Sequence, residues 1–338
     1  MKSRLGIALI GMGRMGLIHL KNCMMSPRTD VKWVIRNNIV EAEKYLMNYN
    51  LPIKYTSPDR YTDVLNDPSV DAVIIASSTD THEDFINRSL QAGKHIFCEK
   101  PITSNIDTTK QCYDLAEKFD KHLFCAFHRR FDPSLKILKD KLDRKVLGDP
   151  RLVKISSHDV TAPPIDYYRN NKGGILTDST IHDLDLVRWL INSNPASINI
   201  SETSFNPEVA KYDSELVLVT IKFKNGAMCV IDNGRQATFG YDQRTEVLCD
   251  KGVLKVRNKS ANLFTMSTSD KSTVSGIDLC FTQRYAQAYQ NELEHFLDVL
   301  QGKCRLEVNK EDILEVYKLI EAGRRSIDLK TPVNLNTD

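Results

Sequence analysis

The chain has 338 residues, the length of about two ordinary domains, with enough sequence to bury a core in each. Lys and Arg number 46 against 44 Asp and Glu, so the formal net charge is only +2 and gives no electrostatic argument for a nucleic-acid or membrane-surface partner. A chain that is 27% charged and 41% hydrophobic has the composition of a soluble globular protein, which excludes disordered, collagen-like and coiled-coil readings.

The first third alternates short apolar runs with helical patterns. In chain order these are the strand Leu5 to Ile10, the helix Arg14 to Met25, the strands Val31 to Ile35 and Asp71 to Ala76, the helix His82 to Ala92, the strand His95 to Glu99, the helix Asn105 to Phe119 and the strand Leu123 to Phe127. Nearly continuous Ile, Val, Leu and Ala suits strands covered on both faces, and the alternation predicts βαβ units in a doubly wound parallel sheet, an α/β Rossmann domain over residues 1–127. Beyond that point the rhythm changes. A helix is predicted over Ser179 to Asn192, then strands over Glu215 to Phe223 and Met228 to Asp232, joined at Lys224-Asn225-Gly226. A second pair, Arg244 to Cys249 and Gly252 to Val256, turns at Asp250-Lys251, and helices Gln283 to Leu300 and Lys310 to Arg325 follow. Residues 128–338 therefore read as an α+β domain with a large, mostly antiparallel open sheet, its last helices free to pack back on the first domain.

Eight cysteines (23, 98, 112, 125, 229, 249, 280 and 304) are scattered, without a CxxC or a Cys/His cluster. No zinc site or disulfide framework is expected, and the usage suits a reducing compartment. The apolar run after the basic start ends at Gly11 with no cleavage site behind it, and no apolar stretch approaches a membrane span. A cytoplasmic location is expected.

Gly11-Met12-Gly13-Arg14-Met15-Gly16 follows the first strand and opens a helix. In that context the first glycine permits a tight turn, the second lets a pyrophosphate approach the backbone, and the third lets helix and strand pack closely. The amides of the helix start, Arg14 and Met15 included, would face the phosphates of a dinucleotide. At the end of the second strand, where Asp or Glu normally holds the ribose hydroxyls, the chain reads Arg36-Asn37. A guanidinium there can pair with the 2′-phosphate of NADP; the alternative is a surface Arg with the ribose held by Asn37. The cofactor is thus NAD or NADP, with Arg36 tilting the choice toward NADP.

Oxidation of an alcohol by a nicotinamide needs a group that takes the hydroxyl proton. Two segments offer one. Lys100 lies just beyond the predicted strand His95 to Glu99, at the carboxyl edge where ligands bind in open α/β sheets, and Asp178 and His182 are four apart on a predicted helix. That pair serves equally as a carboxylate orienting an imidazole or as a helix cap beside a packed histidine.

Gly11 to Leu20, Ala92 to Pro101, Phe127 to Pro133 and the GGxxxDxxxHDxDxxRWL stretch from Gly173 to Leu190 together resemble the glucose–fructose oxidoreductase and inositol dehydrogenase family over essentially the whole chain. Phe131-Asp132-Pro133, the Asp159 to Tyr167 stretch and Phe239 to Arg244 are most similar to the inositol 2-dehydrogenases of that family. The resemblance implies a catalytic Lys100, Asp178 and His182. His182 takes the substrate proton, Asp178 holds and polarises it, and Lys100 hydrogen-bonds the reacting oxygen beside a cis Lys100-Pro101 peptide. It implies a substrate set of Lys100, Arg130, Asp159, Asp178, His182 and Tyr241, with Tyr285 or Tyr289 as further candidates that are as readily core. On the cofactor side it implies Ser77, Thr79, His82, Glu99 and Lys100, while His19 is as readily packed as functional. Asp183 and Asp185 read as structural. The chain departs from these enzymes at the missing ribose carboxylate and at His158, where they commonly carry Arg. The activity expected is NAD(P)-dependent oxidation of a cyclic polyol, foremost myo-inositol to its 2-keto product. An aldose or trans-dihydrodiol dehydrogenase and a non-catalytic dinucleotide sensor are the alternatives. A homodimer or homotetramer through the C-terminal sheet is expected, and no metal.

Overall fold

A computed structural model describes residues 2, 4–47, 52–170 and 173–335, which form two compact units. One comprises Met1–His128 and Gln287–Leu314, the other Arg129–Ala286 and Glu315–Asp338.

The first unit contains, in order, β1 (Leu5–Ile10), α1 (Arg14–Met25), β2 (Thr29–Ile35), α2 (Ile39–Met47), β3 (Lys54–Thr56), α3 (Tyr61–Leu65), β4 (Ala72–Ile75), α4 (His82–Gln91), β5 (His95–Cys98), α5 (Ile106–Lys118) and β6 (Leu123–Cys125). The strands form one parallel sheet in the order β3-β2-β1-β4-β5-β6. Every residue of β1, β4 and β6 is buried, which is why these strands read as unbroken apolar runs. The order in which strands are added to the sheet reverses between β1 and β4, so the loops after these two strands flank the topological switch point where open α/β sheets bind ligands. The three-residue β3, Lys-Tyr-Thr, was not predicted, because it carries no apolar run.

The second unit contains α6 (Pro133–Asp143), β7 (Pro150–His158), α7 (Ile165–Asn170), α8 (Ile181–Ile191), β8 (Pro195–Thr203), β9 (Leu216–Phe223), β10 (Met228–Gly234), β11 (Asp242–Cys249), β12 (Gly252–Val256), β13 (Thr265–Ser267), β14 (Ser272–Val274) and α9 (Phe281–Arg284). Then follow α10 (Ala286–Leu300), nearly all of it in the first unit, α11 (Lys310–Leu329) and β15 (Val333–Asn334). Seven strands pair in the order β12-β11-β7-β10-β9-β8-β15. Only β7 with β10 is parallel among the described pairings; the others are antiparallel. One face is apolar: Val153 and Ile155 of β7, Val217, Val219 and Ile221 of β9, and Cys229 and Ile231 of β10 are buried, and Gly323 lets α11 approach β8 at Ile200. On the opposite face Leu218, Met228 and Leu248 are exposed.

Two helices differ from expectation. The pattern from Ser179 does not start as an α-helix: Leu176–Thr180 is a π-turn, and α8 begins only at Ile181. The segment expected as one helix from Gln283 breaks at Tyr285 into α9 and α10.

Candidate active site

In the first unit the glycine loop separates what the fold needs from what it leaves open. Gly11 has φ +89°, and a Cβ there would lie 2.5 Å from the Ala76 carbonyl oxygen. A Cβ on Gly16 would lie 2.0 Å from the Gly11 carbonyl oxygen. Both glycines are demanded by the protein's own backbone. Gly13 is different, since a Cβ there would meet no atom within 4 Å. It stands at the start of α1, which has no side-chain cap and no acidic residue in its first turn, where Arg14 is exposed and Met15 half-buried. Uncapped amides below an open cradle fit a dinucleotide pyrophosphate.

At the ribose end Arg36 is not a lone cation. Its guanidinium donates to Glu41 Oε2 at 2.5 Å and to the Met12 carbonyl at 3.4 Å, while Asn37 is exposed beside it. A carboxylate thus stands beside the guanidinium that would meet a 2′-phosphate. Sequence reasoning missed Glu41 because it looked for a carboxylate at the strand end, and this one stands in the first turn of α2.

After β4, the Ser77 hydroxyl pairs with that of Thr81 at 2.7 Å, and Thr79 is half-buried at the head of a 3₁₀ turn. His82, named as a ribose neighbour, is buried instead. Its Nδ1 lies 3.0 Å from the Pro101 carbonyl and its Nε2 3.2 Å from that of Ser77, and burial lowers its pKa. It ties two backbone segments together. Glu99 is likewise turned inward, with Oε1 2.7 Å from His19 Nε2 and Oε2 accepting the Lys100 amide at 3.3 Å. Glu292 on α10 is wholly buried; that burial and the Glu99 charge push its carboxyl far above the usual range. Lys100 is half-buried, and its peptide to Pro101 is cis. Tyr289 stacks on His128 at 4.6 Å and is core.

In the second unit the π-turn carries Asp178, and its side chain is met by Arg235. The Arg235 guanidinium donates to Asp178 Oδ2 at 2.6 Å and to Asp213 Oδ2 at 3.3 Å. Asp213 Oδ1 in turn accepts the Ile175 amide at 2.9 Å, at the entry to the π-turn. His182 is half-buried in the first turn of α8. Asp159, just past β7, is half-buried, and its amide donates to the Gly234 carbonyl at 3.0 Å, so the ends of β7 and β10 are adjacent. Tyr241 lies edge-on to Tyr285 at 6.2 Å, and burial raises its hydroxyl pKa well above the ordinary value, with the charge of nearby Asp159 adding to the shift. The Tyr285 hydroxyl donates to Gln243 Oε1 at 3.2 Å within the core.

Arg130, expected among the substrate residues, is paired with a carboxylate of α8. It is 2% exposed, and its Nε and a terminal nitrogen bind the buried Asp185 carboxylate, the closest contact at 2.6 Å. Arg129 pairs in the same way with buried Asp183, whose second oxygen accepts Asn233 Nδ2 at 3.2 Å. Such pairs hold α8 in place, and removing one partner costs about 3–5 kcal/mol. His158 sits at the end of β7 between Asp232 at 2.9 Å and Asp242 at 3.7 Å, and the hydrogen bond to Asp232 raises its pKa. Arg235 escaped sequence reasoning because a lone Arg after Asn-Gly reads as a surface turn.

Comparison with known proteins places the chain in a family. Residues 5–127 match the oxidoreductase family with an NAD-binding Rossmann fold, and residues 135–255 match the GFO/IDH/MocA C-terminal domain. A myo-inositol 2-dehydrogenase of Thermotoga maritima is 33% identical over 331 residues, covering 97% of this chain and 98% of that one. The crystal structure of a myo-inositol dehydrogenase from Corynebacterium glutamicum superposes with a TM-score of 0.92 at 28% identity, over 99% of this chain and 100% of that one. A scyllo-inositol dehydrogenase from Lactobacillus casei, solved with NAD(H) and scyllo-inositol bound, has a TM-score of 0.89 at 25% identity, over 98% and 99% of the two chains.

Proposed function

The chain belongs to the GFO/IDH/MocA oxidoreductase family, and from that premise we propose that it oxidises a cyclic polyol with a nicotinamide dinucleotide, taking myo-inositol to its 2-keto product. The observation that carries the reading is end-to-end similarity to an inositol 2-dehydrogenase over 97% of the chain. The glycine cradle at Gly11, Gly13 and Gly16 and the amides of Arg14 and Met15 bind the pyrophosphate, and Ser77 and Thr79 border the nicotinamide ribose. The bound nicotinamide serves as hydride acceptor. His182 takes the hydroxyl proton. The Lys100 ammonium donates a hydrogen bond to the same oxygen and favours its developing negative charge. Asp178 offsets the positive imidazolium that results. Asp159 and Tyr241 hold the remaining hydroxyls, and a neutral, hydroxyl-rich ligand suits such a polar set.

The Arg36–Glu41 pair supports NAD as the preferred cofactor over the NADP that Arg36 alone suggests. Glu41→Gln frees the guanidinium, and the ratio of kcat/KM for NADP to that for NAD should rise about tenfold, the effect of roughly 1.4 kcal/mol. An unchanged ratio would show that the ribose is recognised elsewhere. The open face of the second unit's sheet, with Leu218, Met228 and Leu248 exposed, supports a homodimer or homotetramer assembled through that face.

The direct test is dinucleotide reduction, followed by absorbance, with myo-inositol, scyllo-inositol, glucose, xylose and a trans-dihydrodiol. Turnover with an inositol in preference to the others supports the reading. Turnover with aldoses or the dihydrodiol alone keeps the machinery and overturns the substrate. Tight dinucleotide binding without any turnover identifies a sensor instead.

A further inference from the structure

Arg235 follows β10 directly, and its amide donates to the Glu215 carbonyl at 2.8 Å, which anchors it to the sheet. Its side chain is only 2% exposed and lies over the rings of Tyr167 and Tyr168, at 5.9 and 5.8 Å. Three charged groups meet here, one guanidinium and the two carboxylates of Asp178 and Asp213. Burial works against the Arg235 charge, but the two carboxylates more than offset it and hold its pKa above the ordinary value. The three groups are unequally open, since the Asp178 side chain is 25% exposed and that of Asp213 only 6%. Asp178 is thus the more accessible of the two carboxylates.

The same groups bracket the π-turn. Asp213 holds its entry through the Ile175 amide, and Arg235 holds its middle through Asp178. Gly174, at φ +63°, permits this approach, because a Cβ there would lie 2.9 Å from Asp213 Oδ1. π-Turns are uncommon and concentrate at functional sites, where they re-aim a side chain.

We propose that Arg235 is a positioning residue for the proton transfer, acting through Asp178 by fixing its carboxylate on the π-turn four residues before His182. The inference rests on the reading above, in which Asp178 and His182 carry the substrate proton. Arg suits the position and Lys does not, because a planar fork can serve both carboxylates at once while an ammonium is a point charge.

The test is a double-mutant cycle in kcat with myo-inositol and NAD, using Arg235→Gln, Asp178→Asn and both together, with Arg235→Lys alongside. Arg235→Gln should lower kcat about 10–100-fold, the usual cost of losing a group that orients a reacting one, and leave the KM for NAD unchanged. In the Asp178→Asn background the same substitution should cost less than about twofold, because the two residues act as one unit. Arg235→Lys should recover part of the loss. An unchanged kcat in Arg235→Gln, or losses that multiply in the double variant, would overturn the proposal. Should Arg235→Gln fail to fold by circular dichroism, Arg235→Lys carries the cycle with the same expectation of non-additivity. A wild-type chain inactive on every polyol sinks the functional reading and this inference with it. An active wild type whose Asp178→Asn variant is fully active refutes the role of Asp178 specifically.

Discussion

His182→Ala should lower turnover with myo-inositol about 10²–10⁴-fold, the contribution of a positioned general base, while leaving the affinity for NAD within about twofold. The split follows from where the residue stands. His182 lies in the first turn of α8, whereas the proposed pyrophosphate cradle is built from Gly11, Gly13 and Gly16. Alanine there removes the proton acceptor and leaves in place the acids that anchor α8, Asp183 and Asp185, bound to Arg129 and Arg130. Stopped-flow or steady-state rates alongside a fluorescence titration of NADH would separate the two quantities. A variant that turns over as fast as the parent would remove His182 from the mechanism. Loss of NADH affinity together with rate would assign it to cofactor binding instead.

Gly13→Val carries the second large effect and runs the opposite way. No atom lies within 4 Å of a Cβ at Gly13, so the variant should fold with an unchanged melting temperature. The added methyls occupy the space left for the pyrophosphate, and forcing atoms into a close-packed contact costs about 1.4–2.8 kcal/mol, a 10–100-fold loss of dinucleotide affinity. Gly16→Ala is the contrast: its Cβ would stand 2.0 Å from the Gly11 carbonyl, so stability should fall as well. Calorimetric titration of NAD and a thermal melt on each variant distinguish the cases. If Gly13→Val bound NAD normally, the cradle would not be the phosphate site.

Much of the first unit was legible because its signals are local. β1, β4 and β6 are buried on both faces and so are written as apolar runs, and the glycine spacing states its own geometry. What escaped depends on partners distant in sequence. β7 was not foreseen; its alternation is interrupted by serines at 156 and 157, and those face Asp232 and the buried Arg129. Without β7, its parallel pairing with β10 was invisible, and with it the meeting of Asp159 and Gly234 that brings Arg235 to the site. The pairing of Arg36 with Glu41 and of Arg130 with Asp185 escaped for the same reason, because a charge in a sequence does not disclose its counter-charge. The four-residue spacing of Asp178 and His182 was read as one α-helical face, whereas the π-turn places the two on different helical geometries.

The central claim is that hydride leaves a polyol carbinol carbon for the nicotinamide, and label transfer tests it most directly. Incubation with NAD and myo-inositol deuterated at C2, followed by mass spectrometry of the dinucleotide, should yield reduced cofactor one mass unit heavier than that formed from unlabelled substrate. Reduced cofactor without the label would place the oxidation at another hydroxyl. No reduced cofactor at all, from a folded chain that binds NAD, would contradict the account.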